Sequence, residues 1–349
     1  MSISVLKLAD QLRTEADAYK YLEELRWGDR PVCPHCGSVR TPYFLTPENG
    51  ASRKTRTGSA SQRRVWKCAD CRKQFSVLTG TIFHGTKIEI RKWVLVIFEM
   101  ASSKNGVSAR EIERKYDLTP RSAWFMLHRI REAMKREPLA SLLSGRVVAD
   151  ETWYGGKRSN RHGHDPKKHV QGMRSGDKTT IMSLVSRETG EVRSRMIPTV
   201  KPGNLRSVLF EHTDPKTTHL HTDTSAQYRV IGRDFASHEA VNHTAREYVG
   251  GDVSTNQAES YFVQLKRSLD GTHHHVSREH LHRYVAEFDF RFSTCKQTDT
   301  ERMAGVIGRR GHRVLNVVAR RGRQSRSDRL SGCLHHESAR LLAPSESNV

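Results

Sequence analysis

Val147-Val148-Ala149-Asp150 is the stretch on which the reading of this chain turns. Its apolar residues, two of them β-branched, suit a short buried strand, and the run closes on a carboxylate. Working outward, Thr217–Asp223 (TTHLHTD) repeats the ending: a strand-like run followed by an acid. Between them lie two further strand patterns, Thr179–Ser186 (TTIMSLVS) and Glu191–Pro198 (EVRSRMIP). The turn Arg187-Glu-Thr-Gly190 joins those two as a hairpin. Asn204–Glu211, Asn256–Leu269 and Ser277–Phe292 carry helical spacing. Strand, hairpin, helix, strand, helix predicts an α/β layer: a mixed sheet, partly antiparallel, flanked by helices.

In an open α/β sheet ligands gather at the carboxyl ends of strands, where Asp150 and Asp223 are expected. A third acid, Glu259, falls on the helix beginning at Asn256. Asn256, Glu259 and Lys266 share a stripe about 80° wide, while Tyr261, Phe262 and Leu265 supply an apolar back. Acids at strand ends facing an acid on a helix are what two-metal phosphoryl transfer needs. Oxygen ligands of this kind suit two Mg²⁺ or Mn²⁺ ions. Glu151 follows Asp150 directly, so on a strand it points to the opposite face and is not read as a ligand. His273, His274 and His275 follow Gly271-Thr272 in an expected loop and read as phosphate contacts or plain exposure. His162, His164 and His169 read the same way, in a basic loop over 157–178. Trp153 and Tyr154 suit either core packing or stacking on an unpaired base.

Upstream, residues 8–27 have the apolar spacing of one helix. Cys33-Pro-His-Cys36 and Cys68-Ala-Asp-Cys71 then form two knuckles flanked by strand-forming residues. Paired C-x-x-C spacing reads as one structural Zn²⁺ held by four thiolates, closed to catalysis. A redox C-x-x-C would sit beside a βαβ pattern, and a zinc deaminase needs P-C-x-x-C with a nearby H-x-E; neither is present here. Residues 87–136 predict three helices. Ser108-Ala-Arg-Glu111 is a capping box, and Thr119-Pro120 gives an N-cap with proline at the first helical position. The last two helices resemble a helix-turn-helix, the second presenting Arg121, His128 and Arg129 to DNA.

Charge supports such a partner. The 349 residues hold 59 Lys and Arg against 38 Asp and Glu, a formal charge of +21. An excess this large, concentrated in 31–92 and in the Arg-rich tail beyond 300, favours a polyanion over a merely solvated surface. No apolar run reaches the roughly 18 residues of a membrane span. The acidic, amphipathic N-terminal stretch does not read as a signal peptide, so a cytoplasmic, DNA-associated protein is expected.

The stretches CPHCG with CADCRKQFSV, VADETWYGGK, HTDTSAQY and STNQAESYFVQLKR resemble, in this order, the zinc-ribbon insertion-sequence transposases of the DDE, ribonuclease-H-like superfamily. The resemblance spans about residues 18 to 295 and leaves the tail uncovered. Read with the patterns above, the chain is expected to have four segments. Residues 1–86 are an N-terminal helix and zinc ribbon, 87–140 a helix-turn-helix-like module, 141–300 a ribonuclease-H-like catalytic domain, and 301–349 a tail expected to order only on a polyanion. The resemblance implies that Asp150 and Asp223 are the first two acids of the triad. Members place Glu or Asn third; Glu259 is favoured, a carboxylate neutralising Mg²⁺ better than an amide, with Asn256 as a neighbouring or weak ligand. Lys266 resembles the family's basic residue that contacts phosphate near the cut.

The implied activity is hydrolysis of a phosphodiester at the element end, then joining of that 3′ end to target DNA. No nucleotide cofactor is needed, because transesterification conserves the bond. The implied partners are double-stranded DNA, as terminal inverted repeats and as target, and further copies of the chain in a synaptic complex. Two other functions compete: a ribonuclease-H-like nuclease that never joins strands, and a non-enzymatic DNA-binding regulator. The three acids argue against the regulator, and the large basic N-terminal region against a generic nuclease.

Overall fold

The computed structural model describes residues 3–40, 43–44, 64–135, 141–155, 178–241 and 256–308. The basic loop at 157–177, with its three histidines, and the tail from 309 lie outside them. The chain divides into two compact units, one of residues 27–87 and one of residues 1–26 with 88–308.

The smaller unit is a ribbon of three short antiparallel strands, β1 (Tyr43–Phe44), β2 (Trp66–Lys67) and β3 (Gln74–Phe75). Two-residue strands bury too little to hold themselves together. Cys33, Cys68 and Phe75 make a minimal core, and Trp27 packs its ring edge-on to Trp66 and Phe75.

In the larger unit, the single helix expected over 8–27 is two: α1 (Val5–Gln11) and α2 (Glu15–Trp27). Thr14 causes the break. Its hydroxyl accepts the Asp17 N–H at 3.2 Å, and the Asp17 carboxylate accepts the Thr14 N–H at 2.9 Å, a reciprocal cap that starts a new helix. By contacts, α1 and α2 as far as Arg26 group with the larger unit, while Trp27 at the end of α2 packs in the ribbon. α1 packs on α3 (Ile90–Ser102), and Glu15 accepts the N–H groups of Ile90 and Arg91 at 2.7 and 3.1 Å, capping α3 from outside. Ser108 and Thr119 cap α4 (Ala109–Tyr116) and α5 (Pro120–Met134) as expected, with Asp117 left-handed at the turn between them.

The sheet follows. β4 (Leu143–Tyr154) and β5 (Thr179–Ser186) pair antiparallel, as do β5 and β6 (Val192–Ile197). α6 (Pro202–His212) returns the chain to β7 (Thr213–Asp223), which lies parallel to β4. The short α7 (Ala226–Ile231) leads to β8 (Ser237–Val241), parallel to β7. The order β6-β5-β4-β7-β8 is the mixed sheet that the pattern predicted, with one edge strand more. α8 (Asn256–Gly271) and α9 (Arg278–Ser293) cover one face, and α6 and α7 cover the other. The apolar side of α8 contributes Ala258, Tyr261, Phe262, Leu265 and Leu269 against Val148, Ile181 and Val185. Each large side chain so buried contributes roughly 1.5–3 kcal/mol.

The start of the expected disordered tail is instead helical. α10 (Asp299–Gly308) buries Met303, Val306 and Ile307 and packs on α3. The helical module is joined to the sheet layer through α5 and α9. Glu287, fully buried, accepts from Arg131 Nε at 2.6 Å and from the Arg291 guanidinium. The α3–α4 loop closes over it at Gly106, where φ is +92° and an added Cβ would meet His273 Nε2 at 3.2 Å and Glu287 Oε1 at 3.3 Å.

Candidate active site and zinc centre

The two cysteine knuckles are built alike. In the first, Gly37 N–H donates to the Cys33 carbonyl at 2.9 Å; in the second, Arg72 N–H donates to the Cys68 carbonyl at 3.2 Å. Gly37 and Arg72 are both left-handed, at φ 74° and 60°. The Sγ atoms of Cys33 and Cys71 lie 3.7 Å apart, as do those of Cys36 and Cys68, and all four fall within 4.8 Å. A tetrahedral ion with bonds of about 2.3 Å spaces its sulfurs by about 3.8 Å, so the donors fit zinc; a disulfide needs about 2.05 Å. The N–H of Cys71, with that of Asp70, holds the Cys68 thiol down at about 7. The Ser38 N–H pulls on Cys36 too, but desolvation and the neighbouring sulfurs push it up to about 12. Four thiols this close share out their protons unequally, which is the electrostatic condition a bound cation relieves.

The acids lie in the sheet. Asp150 sits inside β4, which runs on to Tyr154, so the strand does not end at the acid as expected. Asp223 does end β7. Val148 pairs with His221 across the parallel ladder, and two residues further along each strand stand Asp150 and Asp223. Both therefore occupy the face that carries Val148, which α8 covers. Asp223 accepts the Ser225 N–H at 3.0 Å, and Asp150 the Glu151 N–H at 2.7 Å.

Glu151 points to the other face, as the strand period required. Its carboxylate accepts a hydrogen bond from the hydroxyl of the buried Tyr228 on α7. Burial drives its carboxyl up to about 7; Tyr228 opposes this, and the charges of Asp150 and Asp223 add to it. One carboxyl at the centre of the sheet thus feels both of the others, which places all three in one electrostatic neighbourhood.

Glu259 stands in the first turn of α8, exposed, with exposed Asn256 and Lys266 along the same helix. The apolar back is as expected, with Tyr261 and Leu265 buried. Among the described residues, the four cysteines are the group of three or more potential metal ligands drawn together within 4.8 Å; Glu259 does not close on the aspartates to that separation. Residues 242–255, which lead into α8, lie outside the described residues.

A family model for an ISXO2-like transposase domain matches residues 142–293, from β4 to the end of α9. A second, for a transposase zinc-ribbon domain, matches residues 13–74. The chain thus carries a DDE domain and a zinc ribbon similar to those of insertion-sequence transposases. A Halobacterium salinarum relative, described as an uncharacterized protein in transposable element ISH50, is 25% identical over 301 residues, covering 84% of this chain and 96% of its own. Among solved structures, the simian T-cell lymphotropic virus intasome in complex with PP2A regulatory subunit B56 gamma gives a TM-score of 0.27 at 11% identity. That match covers 55% of this chain and 64% of the intasome chain.

Within the transposase domain and the helices before it, several residues lie elsewhere than expected. His128 does not face outward for DNA. It is 3% exposed, with its ring 4.0 Å from Trp124 and 5.0 Å from His280, and neither ring nitrogen has a partner. Burial lowers its pKa to about 3. Arg129 lies over the rings of Trp93 and Phe125. Arg121 is exposed as expected, beside Trp124 and Phe125 at 40% and 42%. His273 is half-buried and packed against Tyr284 near Glu287, and burial lowers its pKa to about 4, so it does not stand as a plainly exposed loop residue. Tyr154 joins the core while Trp153 is 46% exposed, which divides the open choice between them. Sequence reasoning missed Glu151–Tyr228 and the buried acids of α9. Glu287 and Asp289 inside an otherwise aromatic run, EFDFRF, were the available signal. No helix among the described residues is long and apolar enough to cross a membrane.

Proposed function

We propose that this transposase cuts DNA at the ends of its element and joins the freed 3′ ends to target DNA. The observation that carries the reading is the side-by-side placement of Asp150 and Asp223 on the sheet face beneath α8, inside a matched DDE transposase domain. Two carboxylates on one face of neighbouring strands repel each other, and a divalent cation between them would relieve the repulsion. Asp150 and Asp223 would hold Mg²⁺ or Mn²⁺, with Glu259 the favoured third ligand and Asn256 the alternative. Bound there, a pair of such ions supplies the charge that makes water or a 3′-hydroxyl acidic and stabilises the departing 3′ oxygen.

The chain's own side chains do the rest. Lys266, on the exposed stripe of Glu259, meets the phosphate next to the cut. Trp153, exposed past Asp150 on β4, offers a ring on which an unpaired base stacks. Arg121, Trp124 and Phe125 on α5, with the zinc ribbon, bind the terminal repeat, and the +21 charge holds the backbone. Two ends cut in concert imply at least a dimer on the DNA.

The test separates binding from chemistry. Asp150→Ala and Asp223→Ala are expected to abolish cleavage of an end-bearing duplex and to leave its mobility shift unchanged. Loss of both together would overturn the division of labour. A pre-cut end offered with a plasmid target then reads joining alone; a wild-type protein that cleaves but never joins is a nuclease.

A further inference from the structure

The buried side of α8 is mostly apolar, and Tyr261 is the polar group that it turns toward the sheet row of Asp150. Counting across the sheet, Asp150 pairs with Ser183 on β5, and Ser183 pairs with Ser194 on β6. All three occupy the face beneath α8 and α9. Ser183 is fully buried, and its hydroxyl lies 2.8 Å from that of Ser194. The row then leaves the sheet. Ser194 donates to the Asp289 carboxylate on α9 twice, by its hydroxyl at 2.7 Å and its N–H at 2.9 Å. Tyr261, buried on α8, donates its hydroxyl to the same carboxylate at 2.6 Å.

The Tyr261 ring packs in the core, but the polar atoms of these side chains are not needed for packing. Val148, Ile181, Val185 and Phe262 already fill the surroundings, and a buried charge replaced by apolar side chains is often neutral or stabilising. What a directional network adds is position. An apolar helix face tolerates sliding and rotation on a sheet, whereas a phenol bonded to a fixed carboxylate does not. Tyr261 lies two residues after Glu259 on the same turn, and Ser183 stands beside Asp150. Burial raises Asp289 to about 6, so near neutrality it is an anion that draws both hydroxyls in.

We infer that Asp289, Ser194, Ser183 and Tyr261 form a strut that sets α8, and with it Glu259, against Asp150 and Asp223. Tyr261 is a positioning residue for the metal ligands, an inference that rests on the reading of those acids given above. The known relatives of this geometry are the groups behind metal ligands whose removal weakens metal binding by about 10–100-fold.

The experiment uses the full zinc-loaded chain without DNA. Mn²⁺ binding is followed by electron paramagnetic resonance, with Asp150→Asn defining binding outside the site, and end cleavage and thermal melting are measured in parallel. Tyr261→Phe keeps the ring and removes one hydroxyl. It is expected to melt as a folded protein, to bind Mn²⁺ at least about tenfold more weakly, and to recover part of its lost cleavage at high Mn²⁺. A folded Tyr261→Phe with wild-type Mn²⁺ affinity overturns the strut. Should Tyr261→Phe not fold, Ser183→Ala, which deletes only the hydroxyl beside Asp150, decides by the same readouts. If Asp150→Asn still cleaves, the reading of the acids fails. If it is inert while Tyr261→Phe and Ser183→Ala are unchanged, only the strut fails.

Discussion

His128 shows what a single residue's surroundings can do to its chemistry. On sequence it stood with Arg121 and Arg129 as a DNA-facing cation; in the structure it is a neutral ring among Trp124, His280 and Tyr284 with both nitrogens unpartnered. Helical spacing could not separate these roles, because α5 packs on α9 and its outward face is set by a helix more than a hundred residues away. His128→Phe fills the same slot without an unmet polar group and is expected to stabilise the protein by about 1–3 kcal/mol at neutral pH. Below pH 6.5 the unfolded chain takes up a proton that folded His128 refuses until about pH 3, so the native state loses stability as pH falls through that window. The advantage of His128→Phe should therefore widen by about 2 kcal/mol at pH 5. Urea melts at pH 7.5 and 5 check this, and a constant gap would sink it. The position of the aspartates was legible for the opposite reason: each follows an apolar, strand-forming run, and the parallel pairing of β4 with β7 sets Asp150 and Asp223 on one face.

At the scale of elements, capping and period were readable where the signal was local. Ser108 and Thr119-Pro120 start α4 and α5 where the sequence placed them, and the hairpin of β5 and β6 follows its turn residues. α7 and β8 escaped notice. Ala226–Ile231 is barely more than one turn, and Ser237–Val241 (SHEAV) lacks the alternation of a half-buried strand because it lies at the sheet edge. Thr14 divides an apolar repeat that continues across it, because its reciprocal cap with Asp17 is a local signal the repeat does not carry. The junction of α5 with α9 rests on a buried charge. Burial alone would raise Glu287, but Arg131 and Arg291 hold it down at about 2, so its contribution is present above pH 4.5 and is lost as pH falls toward 2. Glu287→Gln leaves two guanidinium groups facing an amide and is expected to cost about 3–5 kcal/mol. A shift in urea midpoint equivalent to less than about 1 kcal/mol would show that the pair is dispensable.

At the scale of the molecule, the ribbon's core is four sulfurs and a few rings, while the larger unit buries whole helices on a sheet. Chelation of zinc is expected to open residues 27–87 to limited proteolysis and to leave a resistant fragment containing 88–308. Collapse of that fragment with the ribbon would contradict their independence. Affinity for end DNA should fall roughly a thousandfold between 50 and 200 mM salt if the charge of +21 meets six or more phosphates; a flat response would remove the polyanion. Charge, cysteine spacing and acid placement were legible because each is a property of composition or local pattern. The grouping of α1, α2 and α10 with the helices of residues 90–134 was not, since it depends on contacts between distant stretches. That grouping has a consequence during synthesis. Ile3 N–H donates to the Thr300 hydroxyl at 2.9 Å, and α3 receives α1 from one side of the sequence and α10 from the other. A ribosome must therefore deliver residue 308 before the first helices find their last neighbour, and a message cut short of α10 yields a chain whose α3 keeps α1 but leaves the apolar patch under Met303, Val306 and Ile307 bare.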